Sequence, residues 1–187
     1  MEAKGGSPQR KRLDKEILSP MFFTSPIDEN ALKKLKDRED GTLVFISGIL
    51  YTLRDSSVVR LRQLSGTDLD TLRKDFKNAV VYFSAPSRRP PWFRSGSFGP
   101  TTSSRFVYVA DFLASLGFAG FIGKGTFRPP EGTFYFMSFG GAGAYLADRI
   151  LDYSDFLFPE LGPESIKKVV VRRFPAILFK NGFGGPF

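Results

Sequence analysis

Short runs of strand-forming residues alternate along this chain with segments whose apolar residues recur at helical spacing. The predicted strands cover residues 42–53, 79–83, 118–122, 133–138, 168–174 and 176–180. The predicted helices follow Asp28, contain Val58 and Leu61, run from about 102 to 116, and occupy 140–150. This alternation is typical of α/β or mixed α+β proteins. A length of 187 residues accommodates one compact domain more readily than two.

The chain contains neither cysteine nor histidine. It therefore lacks the ligands of a thiolate zinc site or an iron–sulfur cluster, and it lacks the side chains of a Ser-His-Asp or Cys-His catalytic system. Catalysis by this chain alone would depend on acids, lysine, arginine and hydroxyl groups. The net charge of +8 favours an anionic ligand without distinguishing nucleic acid, phosphate and carboxylate.

Residues 1–20 are polar and basic, with the cluster Arg10-Lys11-Arg12, and we predict a disordered leader there. The folded domain is predicted to occupy residues 21–187. No apolar run approaches the roughly 18 residues that span a bilayer, and the leader has no hydrophobic signal segment. A cytoplasmic location without membrane association is the resulting expectation.

Three cations are predicted to lie at the ends of regular elements: Arg54 after a strand, Arg105 in the first turn of a helix, and Lys124 between two glycines. An arginine at a helix N-terminus is disfavoured by roughly 0.3–1 kcal/mol, and an anion held by the backbone N–H groups of residues 102–104 would offset that cost. The alternative is that Thr101 or Thr102 caps the helix and Arg105 points into solvent.

The glycines around Lys124 are consistent either with close backbone approach to a ligand or with a tight turn carrying a surface lysine. A phosphate-binding P-loop is excluded because Phe118 and Gly125 stand where that motif needs Gly and Ser or Thr. Leu146 likewise breaks a dinucleotide fingerprint in the run beginning at Gly140, which favours close helix packing. Together the three cations and the nearby hydroxyls fit a small dianion or a phosphate equally well.

These residues also lie in four motifs that resemble those of the iron–sulfur (class I) fumarate and tartrate dehydratases. The motifs are SGILYTLRD at 47–55, GPTTSSR at 99–105, IGKG at 122–125 and FGGAGA at 139–144. The order is also that of the family, and the resemblance extends over about residues 20–185. It identifies the chain as a member of that family, corresponding to its β subunit or C-terminal domain.

The resemblance implies a single swivelling β/β/α three-layer domain with a mixed sheet. It implies a larger α subunit that holds a [4Fe–4S] cluster on three cysteines, with no cofactor or metal bound by this chain. The implied reaction is reversible hydration of fumarate to (S)-malate by a complex, expected to be α2β2, in which this chain is inactive alone. The resemblance implies that five residues bind the substrate: Arg54, Thr101, Thr102, Arg105 and Lys124. Three of them, Thr101, Arg105 and Lys124, would also be catalytic.

Two positions depart from the family pattern. Val58 stands where relatives often carry a histidine, and Phe106 replaces a usual methionine, which indicates a change in core packing. An L-tartrate dehydratase β subunit, or that of a related 2-hydroxy-diacid hydro-lyase, is the alternative. A stand-alone anion- or RNA-binding module is disfavoured because the phenylalanines fall mostly at core spacing. A dimer of this chain alone is a further expectation about assembly.

Overall fold

The computed structural model describes residues 19–184, which form one α/β domain around a mixed, seven-stranded sheet. The spatial order of the strands is β1-β2-β3-β4-β5-β7-β6. The strands are β1 Met21–Ser25, β2 Leu43–Leu53, β3 Val80–Phe83, β4 Gly120–Gly123, β5 Phe134–Met137, β6 Ile150–Leu157 and β7 Ile166–Phe179.

Strands β1 to β5 run parallel to one another, and β7 runs antiparallel to both β5 and β2. The pairing of β7 with β2 closes the sheet into a barrel-like arrangement, and β6 extends it by pairing antiparallel with β7. Strand β2 is long enough to pair with β1 through its first half and with β3 through its second. Only glycine fits at position 48 of β2, because a Cβ there would lie 2.2 Å from the carbonyl oxygen of Ser25 at the end of β1.

Alternate residues of the parallel strands enter two separate hydrophobic cores. In β3, Val80 and Tyr82 pack inside the barrel, whereas Val81 and Phe83 pack against the helices. Both faces of this strand are buried, as is typical of parallel sheets covered on both sides. The predicted α/β class with a mixed sheet is confirmed.

Five α-helices and two 3₁₀ helices complete the described region. The α-helices are α1 Glu29–Asp37, α2 Asp55–Leu61, α3 Gly66–Phe76, α4 Ala110–Ser115 and α5 Gly143–Ala147. The 3₁₀ helices are Ser103–Val109 and Pro159–Glu164. Helix α1 begins where predicted, because the Asp28 side chain accepts a hydrogen bond of 2.7 Å from the Ala31 N–H.

Three predicted elements differ from the structure. The helix predicted over 102–116 is a 3₁₀ helix followed by the short α4, with a break at Val109, whose φ is −121°. The helix predicted over 140–150 contracts to α5, because Ile150 begins β6. The two late strands are one strand, β7, which bends at Arg173 (φ +50°) and continues through Pro175. Helix α3 and strands β1 and β6 were not predicted.

Residues 1–18 and 185–187 lie outside the described residues, so the predicted disordered leader and the extreme C-terminal end of the domain stay predictions. Within residues 19–184, no helix is both long enough and apolar enough to cross a bilayer.

Candidate active site at the carboxyl edge of the parallel sheet

The topology brings the predicted site residues to one edge of the sheet. Arg54 follows β2 and Lys124 follows β4, and the carboxyl ends of parallel strands meet at the same edge. The Thr101 N–H donates to the Phe83 carbonyl at the end of β3 (2.6 Å), and the Lys124 N–H donates to the Thr101 carbonyl (3.0 Å). The segment 101–105 is therefore fixed alongside Lys124.

Hydrogen bonds of Ser103 and Tyr135 fix the segment 101–105 and the turn at Lys124 in place. The Ser103 N–H donates to the Lys124 carbonyl (2.9 Å), and its hydroxyl is 3.1 Å from the Tyr135 hydroxyl, which donates to the Gly125 carbonyl (2.8 Å). Burial raises the pKa of Tyr135 to about 12, so its proton stays in place at neutral pH. A Cβ at Gly123 would lie 1.9 Å from the Ser103 hydroxyl, so Gly123 serves this contact.

Two carboxylates face the two arginines. Arg105 Nη2 lies 2.7 Å from Asp55 Oδ2, and the Arg54 guanidinium lies 3.8 Å from Asp55 Oδ2 and 3.6 Å from Glu164 Oε1. The Arg105 side chain is 52% exposed and that of Arg54 is 23% exposed. The cluster is therefore partly open to solvent, and its two longer ion pairs are loose.

Glu164 and Asp55 are functional candidates that the sequence patterns did not single out. The Ser56 N–H donates to Glu164 Oε2 (3.0 Å), and this contact with Ser56, followed by the nearby Arg54 and Arg105, holds the pKa of Glu164 below its usual range. Glu164 ends the second 3₁₀ helix, 108 residues from Ser56 along the chain. The available signals were the Asp beside Arg54 and the LGPE run at 161–164.

Several donors at this edge remain unused by the part of the chain that the structure describes. Arg54 Nε is buried and has no hydrogen-bond partner there. Within the same residues, the hydroxyls of Thr101 and Thr102 make no hydrogen bond, and Lys124 takes part in no ion pair. Three cations and two hydroxyls thus share an edge with only two carboxylates, which leaves capacity for a small anion.

Comparison with known proteins identifies the family. Residues 23–185 match the family described as Fumarase C-terminus. The chain belongs to this family. The fumarase C-terminal domain seen here is 32% identical over 168 residues to "Fumarate hydratase 2" of Leishmania major. It is 30% identical over 167 residues to "Fumarate hydratase class I, anaerobic" of Escherichia coli (strain K12).

The length covered differs among the relatives. The matches take in 85% and 83% of this chain but only 29% and 30% of those two hydratases, so the chain spans under a third of their length. A protein of Methanocaldococcus jannaschii, provisionally named an L(+)-tartrate dehydratase subunit beta, is 26% identical over 166 residues. That match covers 81% of this chain and 84% of the relative.

The sequence offered two explanations for an arginine at position 105, an anion bound at the helix N-terminus or a threonine cap, and the structure corrects both. The Ser103 N–H is already bonded to Lys124, so the predicted anion site at a helix N-terminus is wrong in that detail. The compensating charge at Arg105 comes from Asp55, and Thr102 makes no capping hydrogen bond within residues 19–184. Lys124 packs along Gly140, where a Cβ would lie 3.4 Å from its Cδ.

The two departures from the family pattern are both core positions. Val58 is completely buried in α2 within the helix-side core, so it packs where a histidine would otherwise stand. Phe106 is also completely buried, and its ring stacks on Phe83 with centroids 4.2 Å apart. These contacts account for both substitutions as packing changes.

An iron–sulfur cluster does not fit the side chains of this domain. The full sequence has no cysteine, and among residues 19–184 no group of three or more acidic side chains could hold a metal ion. Thiolate ligands for such a cluster would have to come from outside this chain.

Proposed function

We propose that this chain is the β subunit of a heteromeric class I fumarate hydratase, which catalyses the reversible hydration of fumarate to (S)-malate. In this proposal the chain supplies the residues that bind the substrate carboxylates. A cluster-bearing α subunit, homologous to the larger remaining part of the matched hydratases, completes the active site. The assembly would be an α2β2 heterotetramer located in the cytoplasm.

The observation that carries the proposal is the set of unused donors at the carboxyl edge of the sheet. Fumarate and malate are dicarboxylates, and Arg54, Arg105 and Lys124 offer enough positive charge to bind two carboxylates. Asp55 and Glu164 hold the two arginines in the absence of substrate. The Arg54 side chain is 23% exposed and both of its ion pairs are longer than 3.5 Å, so its guanidinium is proposed to turn from these carboxylates to a substrate carboxylate.

The chemistry of the reaction explains why cations rather than neutral groups are needed. In the dehydration direction a proton leaves C3 of malate, the C2–O bond breaks, and hydroxide departs with a proton as water while the C2–C3 double bond forms. Removal of the C3 proton places negative charge on the adjacent carboxylate. Arg105 and Lys124 are proposed to stabilise that developing charge in the transition state.

Thr101 is the proposed proton-abstracting position, with Thr102 contacting the substrate. A neutral hydroxyl is a weak base, so Thr101 requires neighbouring positive charge that lowers the pKa of its hydroxyl. Its backbone hydrogen bond to the Lys124 N–H (3.0 Å) puts the two residues side by side, as this role needs. The cluster has no cysteine ligands in this chain.

Dehydration of L-tartrate, or of a related 2-hydroxy-diacid, is the second candidate reaction. Its specific support is the M. jannaschii relative, because this chain covers 84% of a protein whose provisional name is that of a tartrate dehydratase β subunit. A nucleic-acid-binding module has weaker support, because most of the phenylalanines fill the two cores and so cannot stack on bases.

An anaerobic hydration assay tests the proposal. This chain, the cluster-bearing polypeptide and their mixture are each assayed with fumarate, malate and tartrate. Activity with fumarate in the mixture alone is the expected result. Turnover of tartrate without fumarate would move the substrate assignment to the second candidate, and full activity of either polypeptide alone would refute a shared active site.

A further inference from the structure

The segment that connects β3 to Thr101 forms a closed loop. At its base the Ser87 N–H donates to the Ser97 carbonyl, and the Ser97 N–H donates to the Ser87 hydroxyl, both at 2.9 Å. A Cβ at Gly96 would lie 2.0 Å from the Ser87 carbonyl oxygen, so glycine is required for this closure. Residues 88–94 therefore project from a fixed base.

The tip of this loop is a hydrogen-bonded turn that exposes aromatic side chains. The Phe93 N–H donates to the Pro90 carbonyl (3.1 Å), which closes a turn, and the Arg89 Nε donates to the Phe93 carbonyl (2.7 Å). Trp92, the only tryptophan of the chain, is 82% exposed at this tip. An exposed indole in an already ordered turn loses little conformational entropy when a partner covers it.

The loop also carries unbalanced positive charge. Arg88 and Arg94 are exposed, and neither takes part in an ion pair within residues 19–184. The segment 85–100 contains no acidic residue. Beside the loop lies a cavity of about 500 Å³. Asp148 lies in its wall together with the apolar residues Pro90, Phe93, Ala144, Ala147 and Ile150.

This loop is physically continuous with the candidate active site. Its last residues lead directly into Thr101, and the Phe98 N–H donates to the Gly143 carbonyl at the start of α5 (3.1 Å). The run that leads into α5 also contains Gly140, which packs along Lys124. The base of the loop and the candidate active site therefore belong to one continuous stretch of chain.

We propose that Arg88, Trp92, Phe93 and Arg94, the tip surface, anchor the cluster-bearing polypeptide to this chain. The inference rests on the proposed function, because it adds the place of attachment to a shared active site. The matching surface of the partner would be an apolar recess for Trp92 rimmed by carboxylates for Arg88 and Arg94. Tryptophan and arginine are the residues in which interface binding energy is most often concentrated.

Fluorine NMR tests this proposal with the full chain. The chain is labelled with 5-fluorotryptophan, which gives one signal from Trp92, and is titrated anaerobically with the unlabelled polypeptide homologous to the remainder of the matched hydratases. We expect the signal to shift and broaden to saturation. Titration with a single-stranded uridine 12-mer serves as the comparison, and no change is expected with it.

Affinity and turnover of variants separate this inference from the proposed function. Trp92→Ala should raise the dissociation constant about 30-fold or more, while turnover at saturating partner stays near wild type. Phe22→Ala, which truncates an exposed aromatic on β1, is the matched control and should leave the dissociation constant unchanged.

Each other outcome overturns a specific statement. If the wild-type complex forms and turns over substrate but Trp92→Ala binds equally well, the tip surface is not the anchor and the proposed function stands. If the wild-type chain binds no partner polypeptide, the proposed function falls and the anchor falls with it. A response to the oligonucleotide alone would assign the tip surface to nucleic acid and refute protein docking.

Discussion

The domain contains two clusters built from the same kinds of charged residue, and they differ in how completely their donors are used. In the clamp of Lys167, Asp155 and Ser165, the lysine is 6% exposed and donates to Asp155 Oδ1 (2.5 Å), the Ser165 hydroxyl (2.6 Å) and the Gly162 carbonyl (3.0 Å). The Ser165 hydroxyl also donates to Asp155. All three donors of the ammonium group are therefore satisfied internally.

The cluster at the carboxyl edge has the opposite character. Arg54 and Arg105 share Asp55, two of the three ion pairs there exceed 3.5 Å, and Arg54 Nε has no hydrogen-bond partner among residues 19–184. Neither its geometry nor its exposure suits a stabilising role. The two clusters therefore differ in how far their donors are used internally, and not in whether they carry charge.

The largest expected effect comes from removing a cation at the carboxyl edge. Arg105→Ala should lower turnover of the proposed complex by about 10²–10³-fold, because the proposed function has its charge stabilise the transition state. Its ion pair with Asp55 is half exposed, so unfolding free energy should change by less than about 1 kcal/mol. Turnover and urea unfolding are measured together.

Arg60→Ala is the matched control for that variant, since Arg60 pairs with Glu160 at 3.4 Å on the neighbouring α2 surface. It should leave turnover unchanged. Near-normal turnover of Arg105→Ala would remove Arg105 from the active site and make the two clusters functionally alike.

Substitution in the clamp should lower stability and leave turnover nearly unchanged, which is the reverse of the result expected for Arg105→Ala. Lys167→Met removes three hydrogen bonds from a buried position and leaves the Gly162 carbonyl and the Ser165 hydroxyl without that donor. We expect a loss of about 2–3 kcal/mol in unfolding free energy. Turnover at a temperature where the variant is folded should stay within a few-fold of wild type. A large loss of turnover in a stable variant would show that the clamp acts on catalysis.

The sequence predicted the second cluster better than the first. Strand ends are recognisable from apolar runs, so Arg54 and Lys124 could be placed at the ends of strands, and the motif around Thr101 added Arg105. That these strand ends share one edge of the sheet came from the structure. Its two carboxylates were harder, because Glu164 reaches Ser56 across 108 residues and only the tertiary fold brings them together. The clamp has no local signal, because Asp155 lies on β6, a strand that the sequence did not predict.

Local geometry set a further limit on prediction. The glycines around Lys124 were assigned to ligand approach or to a turn, but Gly123 makes room for the Ser103 hydroxyl. The same hydroxyl contacts that of Tyr135, and the two residues lie 32 positions apart, one at the start of a 3₁₀ helix and the other on β5. Periodicity identifies which residues are buried, whereas it does not identify which of them touch.

The Tyr135 hydroxyl anchors the turn that carries Lys124. Its removal should therefore lower turnover less than Arg105→Ala does and stability less than Lys167→Met does. Tyr135→Phe loses the hydrogen bond to the Gly125 carbonyl and the contact with Ser103, and should cost about 1 kcal/mol in unfolding free energy. Turnover should fall several-fold because the turn that carries Lys124 loses its anchor. Tyr108→Phe, on an exposed tyrosine, is the control. Equal turnover in the two variants would contradict the anchoring role.

The smallest expected effect is a pH dependence that distinguishes the clamp from an ordinary surface pair. Hydrogen bonds from Lys167 and then Ser165 lower the pKa of Asp155 from its usual value of 3.8. An acid whose pKa is lower in the folded state stabilises that state above the unfolded value and loses this contribution as the pH falls through the folded value. Wild type should therefore unfold at a higher temperature than Asp155→Asn at pH 7, and the difference should shrink below about pH 4.

Asp70→Asn is the control for that measurement, because Asp70 pairs with Arg73 on the exposed surface of α3. A thermal unfolding series from pH 7 to pH 3 compares the three proteins. A gap between wild type and Asp155→Asn that stayed constant through pH 3 would mean that the aspartate acts by shape rather than by charge. The clamp would then owe its stability to packing, and the use of donors would no longer separate it from the cluster at the carboxyl edge.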